Sequence, residues 1–183
     1  MGPKAPARRW THFLRLAIAF LIAASSHAAA KPAPQPPAVV AAKKQADAAA
    51  KTSLRPAYPE ALIAYAKALR AANQLKPAYD TAQQAAASFD AQLEMHRELS
   101  EAVTDANRGR AERAAARELG QQRDAARFLA GQIAEQMGDE NLAIPAYLLV
   151  VRSQPDEGLG LEALAALKAL GWLRSPVPAS AKP

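Results

Sequence analysis

The residues best suited to chemistry in this sequence surround His96, in the run QLEMHRELSEA, where Glu94, Glu98, Ser100 and Glu101 lie close by. A zinc site of the HExxH kind needs a second histidine four residues later, and Ser100 occupies that position. A Ser100–His96 pair could activate a nucleophile, but no third group that would orient the imidazole is evident. We therefore expect His96 to be a surface histidine without a catalytic or metal-binding role.

The other polar clusters have simpler explanations than catalysis. Acidic pairs at 139–140 and 156–157 stand where helices should begin, and there they oppose the helix dipole favourably. The Gly-Leu-Gly run at 158–160 lacks both the preceding strand and the following Lys-Ser/Thr of a phosphate-binding loop. The chain has no cysteine, so it offers no thiolate and no disulfide. These patterns predict a protein that is not an enzyme and holds no metal or cofactor.

The N-terminus has the three regions of a secretory signal peptide. Its first 15 residues are basic without an acidic side chain, residues 16–24 (LAIAFLIAA) are apolar, and Ala28 and Ala30 form an A-x-A-like site. The apolar run is about half of the ~20 residues needed to cross a bilayer. We expect residues 1–30 to be removed and the protein to reach the periplasm or the medium, without a stable membrane anchor. An uncleaved anchor and a transit peptide are the alternatives.

Net charge argues against a nucleic-acid partner. The whole chain carries +6, but residues 1–30 contribute four basic groups, and the remainder has 19 basic against 17 acidic residues, or +2. Nucleic-acid binding would need a clustered basic face in the part that remains.

The remaining chain divides into three parts by composition. Residues 31–58 are rich in Pro, Ala and Lys, which predicts a linker or arm. Its first half should be extended, and residues 38–51 could form a transient helix but offer no apolar face to bury. Residues 59–174 are rich in Ala and Leu, which favours helix throughout. Residues 175–183 are expected to be a disordered tail.

Helix-breaking residues divide the helical part into predicted helices of about 10 to 17 residues. The expected breaks lie near 73–74, 88–90, 107–109, 120, 138–139 and 154–155. Short helices joined by short turns predict antiparallel neighbours.

The stretch RFLAGQIAEQMGDENLAIPAYLLVVRSQPD resembles a tetratricopeptide repeat. Gly131 matches the small-residue position of helix A, Gly138 the turn, Ala143 the alanine that opens helix B, Tyr147 the aromatic position and Pro155 the closing proline.

The same alanine position recurs upstream at Ala111 and Ala78. The resemblance implies repeats at about 59–91, 92–123 and 124–157, followed by a terminal helix at 159–173. The expected fold is therefore all-α, a short α-solenoid of about three tetratricopeptide-like hairpins plus a C-terminal helix. The middle repeat matches least well, since helix B there has no aromatic residue.

The resemblance also implies a concave groove lined by helix A side chains, suited to a peptide or a partner helix. The implied positions are Glu60, Ile63, Lys67, Arg70, Leu93, His96, Ser100, Val103, Phe128, Gln132 and Glu135. They lack the dense Lys/Asn clamp that some family members use for acidic C-termini.

The terminal helix, GLGLEALAALKALGWLR, is apolar on more than one face. We expect Leu161, Leu164 and Ala165 to be buried, and Leu167, Leu170 or Trp172 to be partly exposed. An apolar patch of this kind marks an interaction site, so Leu170 and Trp172 are candidates for homodimerisation or partner docking. The alternative is that Trp172 and Leu173 fold back over the end of the array.

The predicted function is a non-enzymatic protein-interaction module, a scaffold or assembly factor of a bacterial cell envelope. A lipid- or envelope-associating helical protein is the first alternative, and an accessory subunit of an enzyme complex is the second.

Overall fold

The regular secondary structure is helical in every part of the chain that the structure, a computed structural model, describes: residues 34–51, 57–156 and 158–173. Its helices are α1 (Pro37–Ala50), α2 (Ala57–Ala71), α3 (Leu75–Ala102), α4 (Ala106–Gln136), α5 (Glu140–Ser153) and α6 (Gly158–Ala169). The predicted all-α class is confirmed. The predicted signal peptide, 1–30, and the tail, 175–183, lie outside the described residues.

Each helix packs chiefly on its neighbours in the chain. The largest buried cluster draws on all six helices, from Val39 of α1 through Leu69, Tyr79, Ile133 and Tyr147 to Leu167 of α6. Alanine is frequent in this cluster, and small side chains let the helix axes approach closely. All six helices therefore contribute side chains to the same core.

Helix α1 corrects the prediction of a linker over 31–58. It begins with Pro37 in the first turn, where a missing N–H costs nothing. Val39 is 1% exposed and Ala46 is 4% exposed, and α1 packs against α2. A face of one valine and a few alanines is thus enough for α1 to pack on α2, because α2 presents a matching apolar surface that includes Ala66 and Leu62.

Two turns are confirmed where they were predicted, between α2 and α3 and between α4 and α5. Asn73 and Gly138 both have left-handed backbones, with φ of 57° and 72°. In each turn the next amide donates to a carbonyl five residues back, Gln74 to Leu69 at 2.9 Å and Asp139 to Ala134 at 3.0 Å. This pattern satisfies the last carbonyls of a helix.

The predicted breaks at 88–90 and at Gly120 are wrong, because α3 and α4 run through them. Ser88 donates its hydroxyl to the carbonyl of Gln84 at 2.8 Å, and Phe89 is fully buried. Gly120 faces Leu93 across the α3–α4 contact. Tertiary packing here outweighs weak helix propensity.

The turn between α3 and α4 lies at 103–105, slightly before the predicted break at 107–109. Asp105 caps α4, since its carboxylate accepts from the amide of Arg108 at 2.8 Å. The two helices therefore have 28 and 31 residues, longer than predicted. The predicted middle repeat, 92–123, is only the end of α3 and the start of α4, and Ala111 is exposed while Ala78 and Ala143 are fully buried.

The α3–α4 pair extends beyond the helices on either side of it. Tyr58, at the start of α2, accepts a hydrogen bond from Gln84 at 2.9 Å. Ser153, at the end of α5, accepts one from Arg123 at 2.8 Å. Residues 94–118, here called the distal hairpin, continue past both points.

Helix α6 ends in the same type of turn as α2 and α4. Gly171 has a φ of 72°, and the amide of Trp172 donates to the carbonyl of Leu167 at 3.1 Å. None of the described helices is both long and apolar enough to span a membrane.

Candidate partner-binding groove

The strongest candidate site is an open groove between α2 and α4, about 390 Å³ in volume and lined by Arg70, Gln132, Glu135 and Gln136. Arg70 reaches across from α2: its Nη1 donates to Oε1 of Gln132 at 2.9 Å and its Nε to Oε1 of Gln136 at 3.1 Å. These bonds hold the guanidinium across the groove. The lining therefore offers a fixed cation, amide groups and one carboxylate.

Tyr147 of α5 supports the groove from behind α4. Its hydroxyl donates to Oε2 of Glu135 at 2.9 Å, and its ring lies 5.5 Å from that of Phe128 at an angle of 56°. Burial, and then the hydrogen bond to Glu135, raise the pKa of Tyr147 well above its ordinary value. The phenol thus stays neutral and holds Glu135 as a hydrogen-bond donor.

The ring of Tyr147 can reach this position because α4 has a glycine opposite it. A Cβ at Gly131 would stand 2.6 Å from Cε1 of Tyr147, closer than atoms can pack. Gly131 is buried, as expected for the small position where the two helices cross.

The structure brings together three of the implied groove residues of the first and third units. Arg70, Gln132 and Glu135 line the groove together. Lys67 is exposed one turn before Arg70, Glu60 is exposed near the start of α2, and Ile63 and Phe128 are partly buried against the main core. A binding role for these residues stays a prediction.

The four implied residues of the middle unit lie elsewhere, which corrects their assignment to a concave face. Nδ1 of His96 is 2.6 Å from Oε2 of Glu112, so this histidine joins α3 to α4 rather than standing free on the surface. Ser100 donates to the carbonyl of Arg97 at 2.8 Å. Leu93 packs on the smaller core cluster, and Val103 is the first residue after α3. Because α3 continues without a break through 88–90, these four residues lie along the contact between α3 and α4.

The terminal helix is rotated relative to the prediction. Gly160, Ala163 and Leu167 are buried, whereas Leu161 is 51% exposed and Ala165 is exposed. Gly160 explains the rotation, because a Cβ there would stand 1.4 Å from the carbonyl oxygen of Gln154. Only glycine lets this face of α6 approach the end of α5.

The candidate residues of the terminal helix differ from each other in exposure. Leu170 packs partly against the main core, whereas Trp172 is 46% exposed. A docking role for α6 stays a prediction, and Leu161 and Trp172 are the side chains through which it would act.

Sequence reasoning missed a buried ionic network that joins α3, α4 and α5. Asp124 is 1% exposed and accepts two bonds from Arg123, at 2.8 and 2.9 Å, and one from Gln154 at 3.0 Å. Arg127 donates to Asp90 of α3 at 2.8 Å. Alternating charges along α4 look like a solvated face, so spacing alone gives no sign of this burial. The network thus links α4 to α3 and to the end of α5.

The described residues contain no group of three His, Cys, Asp or Glu side chains placed to hold a metal ion. Comparisons with protein-family models, curated proteins and solved structures found no match to this chain. The tetratricopeptide resemblance therefore rests on the residues themselves.

Proposed function

We propose that this protein is a non-enzymatic protein-interaction module of the bacterial cell envelope, a scaffold or assembly factor that binds a peptide or partner helix in the α2–α4 groove. The observation that carries the proposal is the fixed position of Arg70 between Gln132 and Gln136, beside Glu135. An open cleft with a held cation and several amide groups suits a peptide, whose backbone and acidic side chains can use both.

A tetratricopeptide-like design supports the same function. The pair α2–α3 and the pair α4–α5 repeat the same features 65 positions apart, about twice the ~34 residues of one such repeat. The matching positions are Ala66 and Gly131, Asn73 and Gly138, and Ala78 and Ala143. In that design α2 and α4 are both A helices, whose side chains line the binding face.

The groove can be tested without damaging the fold through Lys67, which is exposed and lies one turn from Arg70. Affinity capture from a bacterial envelope extract should retain the same partner with the unaltered protein and lose it with Lys67→Glu. Arg70→Glu should lose it too, but this change also removes the two bonds that cross the groove. Lys43→Glu, on the exposed side of α1, is the matched control and should capture as the unaltered protein does.

Capture that is unaffected by Lys67→Glu and by Arg70→Glu would contradict the proposal. The alternative of lipid association makes a different prediction, which is a change of helicity when phospholipid vesicles are added. Circular dichroism with and without vesicles separates the two functions, because a packed protein-binding module keeps its helicity.

A further inference from the structure

The distal hairpin carries a row of exposed carboxylates on α3. They belong to Glu94, Glu98 and Glu101, whose spacing of four and three residues places them on one face of the helix. Glu94 makes one long contact to Arg97 on the same helix, at 3.5 Å. We call these three residues the acidic stripe.

A row of exposed guanidinium groups runs along the neighbouring helix, α4. Its members are Arg110, Arg113 and Arg117, spaced three and then four residues apart, again on one helical face. Arg110 hydrogen-bonds to Asn107 of its own helix. We call these three residues the basic stripe.

The stripes do not neutralise each other inside the hairpin. The ion pairs among the described residues include none between the acidic stripe and the basic stripe. The side chains that face the α3–α4 contact are others, such as His96 with Glu112. All six residues of the two stripes are exposed, so both stripes remain open to a partner.

The two stripes lie level with each other along the hairpin. His96 is opposite Glu112, and the carbonyl of Ser100 is opposite Gly109, which aligns the antiparallel helices. This alignment places the stripes at the same height to within about one helical turn of 5.4 Å. Counted outward from the turn at 103–105, both stripes step by three and then by four residues. The acidic stripe thus has the spacing and direction needed to match the basic stripe of an identical hairpin beside it.

We propose that a second copy of this chain docks side by side on the distal hairpin, with its basic stripe on the acidic stripe of the first. The matching pairs are Glu101 with Arg110, Glu98 with Arg113 and Glu94 with Arg117. The contact uses two different surfaces, so each copy keeps one free stripe, and association forms rings or open arrays instead of closed two-fold dimers. Exposed ion pairs are individually weak, and salt screens them.

Sedimentation velocity of the full chain tests the proposal through its salt dependence. The average mass should rise with protein concentration at an ionic strength of about 0.01 M, where the screening length is about 30 Å. It should return to that of the monomer at about 1 M, where the screening length is about 3 Å.

Charge reversal gives the sharper test. The triple variant Arg110→Glu, Arg113→Glu, Arg117→Glu has two acidic stripes, and Glu94→Arg, Glu98→Arg, Glu101→Arg has two basic ones. Each alone should be monomeric at low salt, and an equimolar mixture of the two should associate again. Lys43→Glu, Lys44→Glu, Lys51→Glu makes the same charge change as the arginine variant, at exposed positions of α1 and at the residue that follows it, and should leave association intact. Circular dichroism checks that every variant keeps its helices.

Several results would overturn the proposal. A monomer at low salt, or a mixture that fails to associate, removes it directly. Association that survives at about 1 M salt and is lost in Leu161→Glu, Trp172→Glu would instead assign the contact to α6, since apolar contacts are not screened. If the basic stripe is needed to bind phosphatidylglycerol vesicles but not for self-association, it is a lipid-facing surface.

Discussion

Tyr147 of α5 lies directly against the backbone of α4 at Gly131, with no room for a Cβ between them. Gly131→Ala should therefore lower the free energy of unfolding by about 1–3 kcal/mol, because the ring must shift in a packed core. This loss should appear although alanine is intrinsically about 1 kcal/mol better than glycine in a helix. Urea denaturation measures it.

A second glycine within α4 provides the control for that experiment. A Cβ at Gly120 would meet Cδ1 of Leu93 at 3.5 Å, an ordinary contact distance. Gly120→Ala should leave stability unchanged or raise it by up to about 1 kcal/mol. Equal losses at the two positions would show that the close approach of Tyr147 is not what constrains Gly131.

Ala143 and Ala111 occupy equivalent positions in the sequence repeat but different environments in the structure. Ala143 is fully buried on α5, so Ala143→Leu should overpack the contact with α4 and cost about 1–3 kcal/mol. Ala111 is exposed, and Ala111→Leu should change stability by less than about 0.5 kcal/mol. Thermal or urea unfolding compares them, and a similar cost at both positions would restore the middle repeat as a packed unit.

Asp124 is the buried centre of the ionic network that joins α3, α4 and the end of α5. Asp124→Ala should cost about 3 kcal/mol or more, because it leaves Gln154 and Arg123, whose side chain is only 16% exposed, without their buried acceptor. Asp90→Ala should cost roughly 1 kcal/mol or less, since the side chain of Asp90 is 43% exposed and its pairs are screened by solvent. Chemical denaturation measures the free energy of unfolding of both variants, and equal losses would contradict the buried network.

Tyr147 should make stability depend on pH in the alkaline range. Its pKa is raised in the folded state, so its contribution is fully present below the unfolded pKa of about 10. That contribution is lost as pH rises from there towards the folded-state pKa, because only the unfolded chain ionises in this window. The free energy of unfolding of Tyr147→Phe should therefore fall less steeply than that of the unaltered protein above about pH 10. Parallel curves for the two proteins would contradict this, since all other groups contribute equally to both.

The helical class and two of the turns could be predicted from the sequence because their causes are local. Alanine and leucine favour helix, and Gly138 takes the left-handed backbone that closes α4. The breaks at 88–90 and Gly120 were wrong because propensity there is weaker than the burial of Phe89. The packing of helix α1 was missed because it depends on the shape of α2, which sequence composition does not describe.

The candidate groove was predictable only in part, for a related reason. The tetratricopeptide resemblance implied Arg70, Gln132 and Glu135, and these three residues line one groove. The assignment of His96 and Ser100 to the same face failed once α3 proved continuous, because a helix without a break presents these positions to α4. The network around Asp124 combines residues of α3, α4 and the end of α5, which no local pattern can indicate.

The packing of each helix on its chain neighbours has a consequence for how the protein folds. Contacts between residues near each other in sequence lose little loop-closure entropy as they form, and helical domains of this kind fold in microseconds to milliseconds. Only residues 103–105 separate the two longest helices, so α3 and α4 can pair before the rest of the chain is in place. Once this hairpin has formed, α2 can pack against α3 and α5 can pack against α4.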